Sequence, residues 1–150
     1  MTNINNQPIR IRLFLYSGGL VFIITGAAKL WTAFSKLKIL MFPDPLFSIK
    51  FGSLLLIVGI IEVVLGVVCF ARKRSMVVMM AIAYFATNLL IYRIGVWGVG
   101  WKKPCSCLGN LSDALHISPQ TADSMMKIIL AYLLIGSYVN LFMFWRQRRK

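Results

Sequence analysis

Four long, mostly apolar stretches of this chain run between its charges: Leu13 to Ala28, Phe51 to Ala71 with only Glu62 interrupting, Ser75 to Tyr92, and Ile128 to Trp145. Each one, with its flanks, is long enough to cross ~30 Å of hydrocarbon as a helix rising 1.5 Å per residue. The apolar character extends all round these segments, where a helix lying on a soluble core shows a single stripe. The pattern predicts an all-α integral membrane protein. It is read as one four-helix transmembrane bundle over residues 1–150, with helices near 11–34, 50–71, 75–97 and 119–145.

Composition agrees: hydrophobic residues make up 59% of the 150 positions and charged ones 14%, far from the mix of a soluble domain. Arg10 and Arg12 precede the first apolar run, as they would in a signal peptide, but that run exceeds the ~7–15 residues of a signal core. It is expected to be a membrane anchor. Ser118-Pro119 reads as the start of the last helix, with serine at the cap and proline at the first helical position. Asp123 then suits the positive end of that helix.

Charge predicts the orientation. One side of the membrane would hold Arg10, Arg12, Arg72 to Arg74, Arg146 and Arg148 to Lys150, all tight against helix ends. The other holds Lys36, Lys38, Lys50, Arg93, Lys102, Lys103 and Lys127 in longer loops, with Asp44, Asp113 and Asp123 among them. The compact, acid-free side should be cytoplasmic, which places both termini inside. The net charge of +13 then reflects topology and contact with anionic lipids. No folded basic face with interleaved aromatics is visible, so a nucleic-acid partner is not expected.

Of the three cysteines, Cys105 and Cys107 lie in KKPCSCLGN between helices three and four, on the outer side, where disulfides persist. Cys69 falls near the opposite end of helix two, too far to bridge either, and reads as a small buried residue. Three readings of the Cys-Ser-Cys pair compete. It is a strained, easily reduced disulfide; or two thiols that exchange with another protein, exposed by Pro104 and Gly109; or a static clip that shapes the loop. Metal binding is the weakest case, because His116 is the only histidine and zinc would need Asp113 to complete four ligands. A short turn over Leu111 to Leu115, capped by Ser112, is expected to order the same loop.

Two ionisable groups lie inside the membrane, Lys29 in helix one and Glu62 in helix two. At such depth a charge is costly unless paired or hydrated, which makes both of them candidates for a site. Glu62 shares a face with Gly52, Gly59 and Gly66, and Lys29 shares one with Gly18, Phe22, Thr25 and Gly26. Small-residue faces of this kind let membrane helices approach closely. Helix three adds Tyr84, Asn88 and Tyr92, and helix four Tyr132, Gly136 and Asn140, each at four-residue intervals. Four polar stripes converging inside one bundle would line a pocket for a small redox carrier such as a quinone. The plainer reading is a structural Lys29–Glu62 pair. Glu62 lies about four residues deeper than Lys29, roughly 6 Å along the helix, so direct pairing requires tilt or a stretched lysine. No nucleophile elbow, phosphate-cradling loop or second histidine points to a hydrolase.

The chain resembles the DoxX/MauE-like group of small four-helix membrane proteins over nearly its whole length. The likeness rests on Arg12-Leu13, Ser17-Gly18 and Gly26-Ala27-Ala28-Lys29-Leu30, then Asp44-Pro45 and Gly59-Ile60-Ile61-Glu62-Val63. Last comes Cys105-Ser106-Cys107-Leu108-Gly109. The resemblance implies a redox-associated accessory protein of the bacterial cytoplasmic membrane, with its cysteine loop in the periplasm. It also implies a thiol or disulfide protein partner and a quinone as carrier. The chain is similar as well to four-helix membrane thiol oxidases of the vitamin K epoxide reductase type, but it departs from them in having one C-x-C where they use C-x-x-C. From a different class, the alternative is a noncatalytic subunit whose helices dock within a larger membrane complex. A transporter would show repeats or broken helices, and none is evident.

Overall fold

The computed structural model describes residues 9–34, 38–44, 46–71, 75–100 and 118–148. Among these residues it is all-helical, with four helices: α1 (Ile9–Ala33), α2 (Phe51–Ala71), α3 (Ser75–Gly98) and α4 (Pro119–Arg148). A single 3-10 turn, Lys38–Met41, lies between α1 and α2. All four helices are long and apolar enough to cross a membrane. The shortest, α2 with 21 residues, spans about 32 Å at the helical rise. No strand occurs among the described residues, and the only extended pairing there is an isolated bridge between Pro43 and Lys50.

The tightest element pair is α1 with α2. Gly19 and Gly26 of α1 meet Gly66 and Gly59 of α2, the same seven-residue step run in opposite directions. A Cβ at Gly26 would lie 2.9 Å from the Gly59 carbonyl oxygen, and one at Gly66 would lie 3.0 Å from that of Gly19. The two backbones touch, as expected of helices that associate in lipid through packing rather than through hydrophobic burial. Cys69 closes the far end of this seam, fully buried against Gly19.

Helix α1 also reaches the other two helices. Phe14 lies over Gly136 of α4, and Ser17 shares a 2.6 Å hydrogen bond with the Tyr132 hydroxyl. Phe22 meets Phe85 of α3 edge to face at 5.8 Å. Around them, Met79, Ile82, Ala86, Leu130 and Leu133 complete the core. Helices α3 and α4 pair antiparallel, joined by a Thr87–Tyr138 hydroxyl contact of 3.0 Å and by the Arg93–Asp123 ion pair. At the start of α4 the Thr121 amide donates to the Ser118 hydroxyl at 3.2 Å, the serine cap expected from sequence.

The connection from α1 to α2 and the ends of α3 and α4 nearest residues 101–117 share one end of the bundle, here termed the loop end. The expected outer turn at Leu111 to Leu115, with Cys105, Cys107, His116 and Asp113, lies outside the described residues.

Candidate functional site

The site begins with the charges that the membrane makes costly. The Lys29 ammonium donates to both carboxylate oxygens of Glu62, at 2.7 and 2.6 Å. Lys29 is 4% exposed and Glu62 2%. The depth mismatch is real: by the glycine register, Lys29 is level with Leu56, about 9 Å closer to the loop end than Glu62. Helical side chains slant toward the N-terminus of their own helix. Because α1 and α2 are antiparallel, Lys29 slants inward and Glu62 slants toward the loop end, so the offset brings their heads together without helix tilt.

A second buried carboxylate organises the loop end. Asp44 is 2% exposed. Its Oδ1 accepts the Leu46 and Phe47 amides at 2.9 and 3.0 Å, an aspartate turn. Its Oδ2 accepts the Tyr92 hydroxyl at 2.5 Å. Ser48 takes a left-handed φ of 56° to complete the turn, and the Phe51 amide returns to the Phe42 carbonyl at 3.0 Å. Phe47 is thereby stacked on Tyr92, with centroids 6.0 Å apart and planes 4° from parallel. Leu46 sits against Gly95. One carboxylate thus ties the connection to α3.

Between these two anchors α2 and α3 part, since both pack mainly on other helices. They leave a cleft of about 280 Å³ at the loop end. Helix α2 contributes Phe51, Leu54, Leu55 and Val58, and α3 contributes Phe85, Asn88, Leu89 and Tyr92. Lys29 lines it from α1, and Phe47 from the connection. Three polar side chains thus meet an otherwise apolar wall, the usual make-up of a small-molecule site.

Of the pocket residues expected from sequence, Asn88 lines this cleft, while Tyr84, Tyr132 and Asn140 do not. Tyr84 is 74% exposed on the outside of α3. Tyr132 is committed to Ser17, and the Asn140 amide donates back to the Gly136 carbonyl of its own helix at 2.7 Å. The four polar stripes do not converge: a four-residue step advances 400°, so side chains spaced that way drift around the helix and need not share the inner face. Sequence reasoning missed Phe47 and the Asp44–Tyr92 bond. Asp44-Pro45 was a turn signal that could have placed the carboxylate, and Tyr92 already stood in the α3 stripe.

Among the described residues no three potential metal ligands cluster; Cys105, Cys107, Asp113 and His116 lie outside them. At the α3–α4 corner, Asp123 is held by Arg93 and also by Lys127, at 2.8 Å from the latter. This bridge fixes the two helix ends that the cysteine segment must connect. Together these features define a four-helix membrane protein with a buried ion pair beside a loop-end cleft. No family model, curated protein or solved structure matches the chain.

Proposed function

We propose that the protein is a membrane redox accessory of the DoxX/MauE-like kind, exchanging electrons with an extracytoplasmic thiol or disulfide partner through Cys105 and Cys107. The observation that carries this reading is the Arg93–Asp123–Lys127 bridge. It pins together the ends of α3 and α4 between which residues 101–117 run, so a cysteine pair in that segment is tethered to a rigid base. Lys102 and Lys103 flank the pair in sequence and favour a thiolate. In this reading the loop end faces the periplasm of a bacterial cytoplasmic membrane and both termini face the cytoplasm, as the basic residues near the other helix ends favour.

A disulfide across one intervening residue is strained, and strain makes it an oxidant. A partner thiolate attacks one sulfur, the Cys105–Cys107 bond breaks, and a mixed disulfide forms. The partner's second thiolate then resolves it. The partner leaves as a disulfide, and two electrons and two protons remain on the Cys105 and Cys107 thiols. A quinone, taking up those two electrons and two protons to become a quinol, restores the disulfide.

Trapping tests the exchange. With either cysteine replaced, Cys105→Ser or Cys107→Ser, the remaining thiolate can still attack a disulfide of the oxidised partner, expelling one partner thiolate, but has no neighbour to complete the reverse exchange; a mixed disulfide with one partner should accumulate, visible on a non-reducing gel. The double variant should trap none. Single variants that trap nothing under oxidising conditions, while the bundle remains folded, contradict the reading and leave a noncatalytic subunit.

A further inference from the structure

The cleft has one polar feature that neither the fold nor thiol exchange uses. A lysine ammonium has three N–H donors. Two of those on Lys29 go to Glu62, and the third has no partner among the described residues, although the side chain is 4% exposed and lines the cleft. Asn88 adds a side-chain carbonyl and a spare N–H, since its one described bond is from Nδ2 to the Tyr84 carbonyl at 2.8 Å. A buried donor left unsatisfied is costly, so a ligand that supplies an acceptor there gains on entry.

Charge decides what kind of acceptor. Glu62 already balances Lys29, so a carboxylate or phosphate in the cleft would put two buried anions against one cation, without water to screen them. A neutral carbonyl oxygen accepts the same N–H at no such cost. The remaining wall, including Phe47, Phe51, Leu55 and Phe85, asks for an apolar body. At about 280 Å³ the space suits one ring or one short chain and is too small for a whole phospholipid. Helix α1 ends four residues beyond Lys29, at Ala33. The Lys29 backbone therefore lies about 6 Å below the helix end and its inward-slanting ammonium deeper, within reach of the head of a lipophile entering sideways from the bilayer.

We infer that the α2–α3 cleft binds the neutral carbonyl head of a membrane-soluble molecule, with the Lys29 ammonium as hydrogen-bond donor and Glu62 as the counter-charge that excludes anionic heads. The inference rests on the cleft and goes beyond thiol exchange, which can fail without affecting it.

Calorimetric titration of the full chain in maltoside micelles, at about pH 9, tests it with three probes: methyl decanoate, a decyl-substituted benzoquinone, and decanoate. At least one neutral carbonyl probe should bind, and decanoate at least about tenfold more weakly than the better of the two. Binding of the ester alone assigns the site to a lipid chain, and binding of the benzoquinone assigns it to a quinone-type carrier. Both results support the inference. The double substitution Lys29→Met with Glu62→Leu removes the charges together, so no lone ion is left buried. It should weaken neutral binding about tenfold or more, and Val58→Trp, which fills the cleft while keeping both Lys29 and Glu62, should abolish it. The Cys105→Ser/Cys107→Ser protein should bind as the natural chain does, which separates this site from the redox reading. Decanoate binding as tightly as the neutral probes, neither neutral probe binding, or full affinity in the Lys29→Met/Glu62→Leu protein would overturn the inference.

Discussion

Lys29 and Glu62 can persist at 4% and 2% exposure only as partners. Each alone would leave an uncompensated charge in a medium that cannot solvate it. Their worth is therefore asymmetric. Removing one partner should cost about 3–5 kcal/mol, whereas replacing both with apolar side chains of similar volume should be close to neutral. In equilibrium unfolding in mixed micelles, Lys29→Met alone is expected to be severely destabilised and Lys29→Met/Glu62→Leu to recover most of the loss. Additive losses in the double variant would mean that the two side chains do not act as a unit. The pair was legible in the sequence because membrane-depth charges are rare and each stood on a glycine face. Its geometry was not, because sequence depth alone ignores the slant of side chains in antiparallel helices. Tyr84 shows the opposite limit: a polar stripe at four-residue spacing gives no indication of which way it faces.

At the scale of elements, the α1–α2 hairpin is the rigid half of the molecule, and its register fixes the height of the ion pair. A side chain at Gly66 would meet Ile23 Cγ1 at 2.6 Å and the Gly19 carbonyl oxygen at 3.0 Å, and neither the backbone nor a packed isoleucine can give way cheaply. Gly66→Leu should therefore lower the stability by about 1–3 kcal/mol or more and pry the helices apart. Gly98→Ala, where nothing lies within 4 Å, should stay within about 0.5 kcal/mol. Equal effects at the two positions would contradict a seam based on close backbone contact. Four apolar runs and the Ser118 cap made the helices readable from the sequence. The cleft was not readable, because it arises from where α2 and α3 separate and from a connection folded around Asp44. Those are consequences of long-range packing and carry no periodic signal.

The described residues set three features at one end: the Asp44-tied connection with Phe47 on Tyr92, the cleft beside Lys29, and the Arg93–Asp123 clamp near the helix ends that the chain segment with Cys105 and Cys107 connects. The other end holds the basic residues Arg10, Arg12 and Arg146. Such polarity is what a protein needs if it works across one face of a membrane while anionic lipids hold the other. The thiol-exchange proposal gives that arrangement a purpose, and it makes a direct demand on the cysteines. The decisive measurement is the redox state of Cys105 and Cys107 in intact cells, read as a mass shift after labelling with a membrane-impermeant maleimide. The account predicts that neither thiol labels until a mild reductant is added, and that both label afterwards. Two thiols labelled without reduction, or a bond that resists mild reductant, would contradict it.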